Sequence, residues 1–170
     1  MSSDKSDRFR LGVTHKAEKV WQYNNNKDLF TGWRKNYVLD NYDAEVDHIV
    51  ECQVGQNIWD RVFDGRRTTR GRLAPVRDIW NDLDNLNNTP MHINRKKGDG
   101  FERWLAGHEH DLRSALRYYD VASNHCIKIV TTFEDTANVL CDSLDQLAVE
   151  KSLDLYAEFA CVLADWRDRA

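Results

Sequence analysis

Apolar positions recur most regularly in the last third of the chain. Cys126, Val130, Phe133, Ala137, Leu140, Leu144 and Leu147 alternate steps of four and three, and Leu155, Phe159, Val162 and Trp166 repeat the pattern. That period predicts helices burying one stripe. About three heptads is short for a free coiled coil, so the stripe is expected to pack on its own domain, with a homodimer seam as the alternative to a monomer. Upstream, Lys16–Tyr23 predicts a short helix ended by Asn24–Asn26, three poor helix formers. Trp33, Tyr37, Val38, Tyr42, Val46 and Ile49 favour strand between Trp33 and Ile49. Ile58, Trp59, Val62 and Phe63 form a helical turn pattern. Asp64–Arg72 has two glycines and no apolar residue, which predicts an exposed loop. Pro75 then suits a first helical position, with Val76, Ile79, Trp80 and Leu83 as the buried stripe. A further helix is expected from Ile93 through Trp104, resuming towards Tyr119. Residues 1–12 read as a frayed polar start.

The 170 residues suffice for one core domain with an extension. With 41% hydrophobic residues the chain can bury a core, so wholesale disorder is excluded. A net charge of −4 conceals an uneven distribution. Six arginines (Arg61, Arg66, Arg67, Arg70, Arg72 and Arg77) face one acid, Asp64, between residues 61 and 77, whereas nine acids face three bases from Thr131 onward. A basic middle and an acidic tail fit one anion-facing surface. Cys52, Cys126, Cys141 and Cys161 form no CxxC pair and read as reduced thiols, although an even number leaves disulfides open. No apolar run approaches the ~20 residues of a membrane span, and residues 1–10 hold no signal-peptide core. A soluble intracellular protein of the cytoplasm or nucleus is the expectation, with delivery into another cell left open.

Two segments carry chemistry: Glu45-Val-Asp-His-Ile49, and the stretch from Asp84 to Asp99 that contains Asn85, His92 and Asn94-Arg-Lys-Lys-Gly98. Asp47 is a hard oxygen ligand suited to Mg²⁺ or Mn²⁺. His48 is suited to taking a proton from water near neutral pH. Neighbours in a strand point to opposite faces, so both serve one site only where the strand ends and the chain bends. Asn94 offers a neutral oxygen at a helix start, where backbone amides favour phosphate. Arg95, Lys96 and Lys97 add positive charge in the same turn.

These segments resemble the HNH, or ββα-metal (His-Me finger), nuclease signature. In that family a strand ends in Asp-His, an asparagine opens the second strand, and a last asparagine or histidine begins the helix that completes the metal site. Asn94-Arg-Lys-Lys-Gly98 matches the tail of the pattern, and Asn85 falls nine residues before Asn94. The resemblance implies an α+β fold, with a ββα-metal hairpin embedded in a mainly helical domain. It further implies phosphodiester hydrolysis with one divalent metal, Mg²⁺ by default and Mn²⁺ second. Asp47 and Asn94 would bind the metal, His48 would be the general base, and Asn85 would hold the backbone around His48. DNA is expected over RNA by analogy alone. Two departures stand out. A long insertion at 52–84 separates the motif halves, and Pro90 and Ile93 occupy positions where many members carry a CxxC pair, so no structural zinc is expected. The core is assigned to 1–120 and a C-terminal helical extension packed on it to 121–170.

His92 is a candidate third ligand, because positions 92 and 94 would share a face on a short strand. Glu45 shares the face of Asp47. Arg66, Arg67, Arg70 and Arg72 form a candidate phosphate-contacting arm with Arg95, Lys96 and Lys97. His108 and His110 read as a solvated pair. The alternatives are a catalytically silent nucleic-acid- or protein-binding module on the same scaffold, and a toxin or effector nuclease.

Overall fold

The computed structural model describes residues 8–63 and 70–170. The architecture is mainly helical with a two-stranded antiparallel sheet, an α+β arrangement. Strand β1 (Ala44–His48) pairs with β2 (Leu86–Pro90) in a register that sets Glu45 opposite Thr89, Asp47 opposite Asn87 and His48 opposite Leu86. Helices α1 (Ala17–Tyr23) and α2 (Lys35–Asn41) precede β1, and α3 (Cys52–Val62) and α4 (Arg70–Trp80) lie between the strands. Helix α5 (Met91–Leu105) follows β2 without a break, and α6 (Leu112–Tyr118), α7 (Ser123–Lys151) and α8 (Asp154–Arg167) complete the chain.

Strand forms over less of residues 33–49 than the side chains suggest. Helix α2 takes Lys35–Asn41, and strand is confined to Ala44–His48. The preference of aromatic and β-branched residues for strands reflects fit to a pleated, half-buried surface. Only the segment with β2 beside it receives such a surface. The α4 boundary also differs: the helix starts at Arg70, with Pro75 inside it rather than at its first position. As the sixth residue of the helix, Pro75 has no N–H to give the carbonyl of residue 71, so the ladder lacks one bond there.

The C-terminal stripe is buried as its period predicts. Cys126, Phe133, Ala137, Leu140, Leu144 and Leu147 are buried and meet Leu155, Phe159 and Trp166 of α8 in an intramolecular hairpin. This hairpin shares one apolar cluster with α3, Val76 and Trp80 of α4, Phe101 and Trp104 of α5, and Leu112, Ala115 and Leu116 of α6. Residues 8–12, part of the start expected to fray, are anchored by Phe9, which is fully buried against Trp59, Trp80 and Phe159. A buried Phe is worth about 1.5–3 kcal/mol, enough to hold a short segment in place. All four cysteines are free, Cys161 alone being exposed. No helix among the described residues is long and apolar enough to cross a membrane.

Candidate active site

Asp47 and His48 close β1, and Asn94 lies one turn into α5, the helix that continues from β2. The three side chains line one pocket of about 420 Å³, together with Glu45, Val46 and the segment Arg10–Thr14. The strand ends at His48, which is how adjacent Asp47 and His48 reach one cavity. Glu45 Oε1 accepts a 2.7 Å hydrogen bond from Asn94 Nδ2. With its nitrogen so engaged, Asn94 has Oδ1 as the atom that could face a cation.

Asn85 clamps the chain directly after His48. Its backbone oxygen accepts from Ile49 N at 2.8 Å, its Oδ1 accepts from Val50 N at 2.6 Å, and its Nδ2 donates to the carbonyls of Val50 and Trp80. Asn85 is fully buried, so these bonds replace the water it gave up.

His48 is buried, and burial pushes its pKa below the ordinary value, aided by Arg10 and Lys97 and opposed by Asn81 and Glu51. It is therefore neutral at pH 7. Its tautomer follows from Asn81, whose Nδ2 donates to the carbonyls of Phe9 and Arg77, both at 2.7 Å. That fixes Asn81 Oδ1 as the atom 2.8 Å from His48 Nε2, and the same oxygen accepts from Leu11 N at 3.2 Å. A carbonyl oxygen cannot donate, so the ring proton sits on Nε2 and the basic lone pair on Nδ1.

Beneath the pocket lies a buried charge cluster. Lys97 has 0% exposure. Its ammonium lies 2.8 Å from Asp47 Oδ2 and 2.5 Å from Glu51 Oε1, and donates to the His48 carbonyl at 2.9 Å. The rings of Phe30 and Phe101 stand 5.3 and 5.1 Å away. Burial would discharge Lys97, but Asp47 and Glu51 outweigh it and raise its pKa, so it stays charged. Burial pushes Asp47 up to about 7, with Glu51 adding to the rise and Lys97 opposing it. Among the described residues, Asp47 Oδ2 meets no donor besides the Lys97 ammonium.

Lys97 is therefore not the phosphate contact the basic run suggests. It shares the buried stripe of α5 with Ile93, Gly100, Phe101 and Trp104, and helical period carries every fourth residue inward. His92 is not positioned as a ligand either. Helix α5 begins at Met91, so positions 92 and 94 point ~200° apart rather than sharing a face. His92 is exposed, lies outside the pocket lining and rests on Tyr42 with ring centroids 5.1 Å apart. Arg95 and Arg72 are exposed, and Lys96 donates to the Asp120 carbonyl. Arg66, Arg67 and the side chain of Arg70 lie outside the described residues. His108 and His110 are exposed.

Glu51 and Asn81 belong to the site but to neither motif. The sequence holds one hint of Glu51: a lysine in the apolar stripe of α5 demands a buried acid. Asn81 offers no local signal. Among the described residues no group of three or more His, Cys, Asp or Glu side chains forms a metal cage. Any cation here would depend on carboxylate and amide oxygens completed by water, a donor set that suits Mg²⁺. Compared with known protein families, curated proteins and solved structures, the chain matches none.

Proposed function

We propose that this chain is a metal-dependent endonuclease of the HNH type, hydrolysing phosphodiester bonds of DNA, with RNA as the alternative substrate. One observation carries the reading: Asp47, His48 and Asn94, brought from two separate segments, line a single pocket. The order β1, β2, α5 agrees with a ββα-metal motif interrupted by α3 and α4.

The residues present fit a divalent cation. The Asp47 carboxylate, whose Oδ2 is paired with Lys97, and Asn94 Oδ1 offer hard oxygens of the kind a divalent cation takes. Asp47 and Asn94 would hold it, and when bound it stabilises charge on the phosphate and the leaving oxygen. His48 takes the proton of the attacking water on Nδ1, while Asn81 keeps Nε2 protonated and the ring oriented. Asn85 and Lys97 fix the backbone that carries the imidazole. Lys97 offsets part of the charge of Asp47 and Glu51, which keeps two buried carboxylates together without expelling either.

His48→Ala should lower cleavage of plasmid DNA by about 10²- to 10⁴-fold, the usual contribution of a general base. A chelator should abolish cleavage and Mg²⁺ restore it. Because the His48 pKa is depressed, the acid limb of the rate profile should fall below pH ~6.5. One feature favours a second reading, a silent binding module on this scaffold: the ammonium of Lys97 already sits against Asp47. Absence of metal-dependent cleavage of both DNA and RNA by the wild-type protein would select that reading.

A further inference from the structure

The basic run of α5 leaves the pocket short of positive charge. Arg95 and Lys96 are not among the residues that line it, and Lys97 is taken up beneath it by Asp47 and Glu51. The lining itself carries two acids, Glu45 and Asp47. Their charges match a divalent cation and no more, while Lys97 and Glu51 balance one another. A metal held here therefore leaves little surplus charge to attract a phosphodiester, which is itself an anion.

Arg10 supplies that surplus. Among the described residues that line the pocket, it is the one positively charged side chain. The chain on either side of it is pinned. Phe9 is fully buried and its carbonyl accepts from Asn81 Nδ2 at 2.7 Å, while Leu11 N donates to Asn81 Oδ1 at 3.2 Å. The same Oδ1 lies 2.8 Å from His48 Nε2, so one asparagine sets the Arg10 backbone and the imidazole in a common frame. The charge of Arg10 is felt at His48, where it opposes the imidazolium.

Arg10 itself stays open. It is exposed and, among the described residues, forms no ion pair, although Glu45 and Asp47 share its pocket. A fixed cation that pairs with neither neighbouring acid is available to an anion from outside.

We propose that Arg10 is the phosphate-binding residue of this pocket, its guanidinium gripping the non-bridging oxygens of the scissile phosphodiester beside His48. The proposal rests on the nuclease reading of the pocket and adds the residue that holds the substrate there. A guanidinium presents a planar fork of donors that matches two phosphate oxygens, which an ammonium does not. The contact is to the phosphate and carries no base information, so it serves DNA and RNA alike.

The test uses full-length protein in Mg²⁺. Binding of labelled DNA and RNA oligonucleotides is read by fluorescence anisotropy in the His48→Ala background, where cleavage is slow, over a series of KCl concentrations. Cleavage is read in the wild-type background. Arg10→Ala should weaken binding by ~10- to ~150-fold, the loss of one charge-assisted contact. It should also lower the slope of log affinity against log salt by about one, the loss of one phosphate contact. Arg10→Lys keeps the charge without the fork, so the slope should return while affinity recovers only in part. Arg8→Ala removes an exposed arginine two positions away and outside the pocket lining, and should change both quantities less. Arg10→Gln takes the place of Arg10→Ala if that variant fails to fold. Undiminished affinity or an unchanged slope in Arg10→Ala, or an equal loss in Arg8→Ala, overturns the assignment. If wild type cleaves neither DNA nor RNA while Arg10 still governs affinity and slope, the nuclease reading falls and the phosphate site stands. If wild type cleaves and Arg10→Ala matches it in rate and KM, the phosphate site falls and the nuclease reading stands.

Discussion

Asp47, Glu51 and Lys97 bring two acidic side chains and one ammonium together in a buried cluster. Each ion loses several kcal/mol of solvation there, and only mutual attraction restores it. Lys97→Met should therefore cost about 3–5 kcal/mol in denaturant unfolding, because it strands two acids. Adding Asp47→Asn and Glu51→Gln to that variant should recover most of the loss. Asp47 also makes stability depend on pH. Its folded pKa of about 7 exceeds the unfolded carboxylate value of ~3.9, so the folded state holds this proton more tightly. Its contribution is then fully present below pH ~4 and declines as pH rises through about 7. Melting curves in chelator should show wild type losing stability relative to Asp47→Asn across that interval. A flat difference would mean that Asp47 is ionised throughout.

At the scale of elements, Asn81 is the joint. Just beyond α4, its side chain binds Phe9 and Leu11 of the N-terminal segment, Arg77 of α4 and His48 at the end of β1, while its carbonyl accepts from Lys16. The insertion between the strands thus supplies the residue that orients the imidazole. On the proposed nuclease reading, Asn81→Ala should lower the cleavage rate by ~10- to ~100-fold, as loss of an orienting partner does. KM should stay unchanged, and Asn81→Gln should not rescue, since an added methylene displaces Oδ1. Equal effects on rate and KM would show that Asn81 acts on substrate binding. None of this joint is visible in the asparagine itself, whose partners lie up to 72 positions away.

Across the whole molecule, Phe159 of α8 meets Phe9, Trp59 and Trp80, so the last helix braces the segment that walls the pocket. Phe159→Ala should cost about 3–5 kcal/mol and lower Tm by roughly 6–20 °C at ~2–4 °C per kcal/mol. Scanning calorimetry of wild type and variant measures that shift, and a loss of under 1 °C would contradict the bracing role. Local order alone wrote much of this molecule. The period of α7 and α8 is set by which residues can share one face, and Asp47, His48, Asn85 and Asn94 stand out by type and spacing. Period cannot say which partner an element meets. Strand formation at 33–49 therefore depended on where β2 lay, and His92 left the site because the helix began at Met91. The burial of Lys97 and the recruitment of Glu51, Asn81 and residues 10–14 were decided only by tertiary structure. Hydrogen bonds and ion pairs between distant residues form only after the core has brought their elements together.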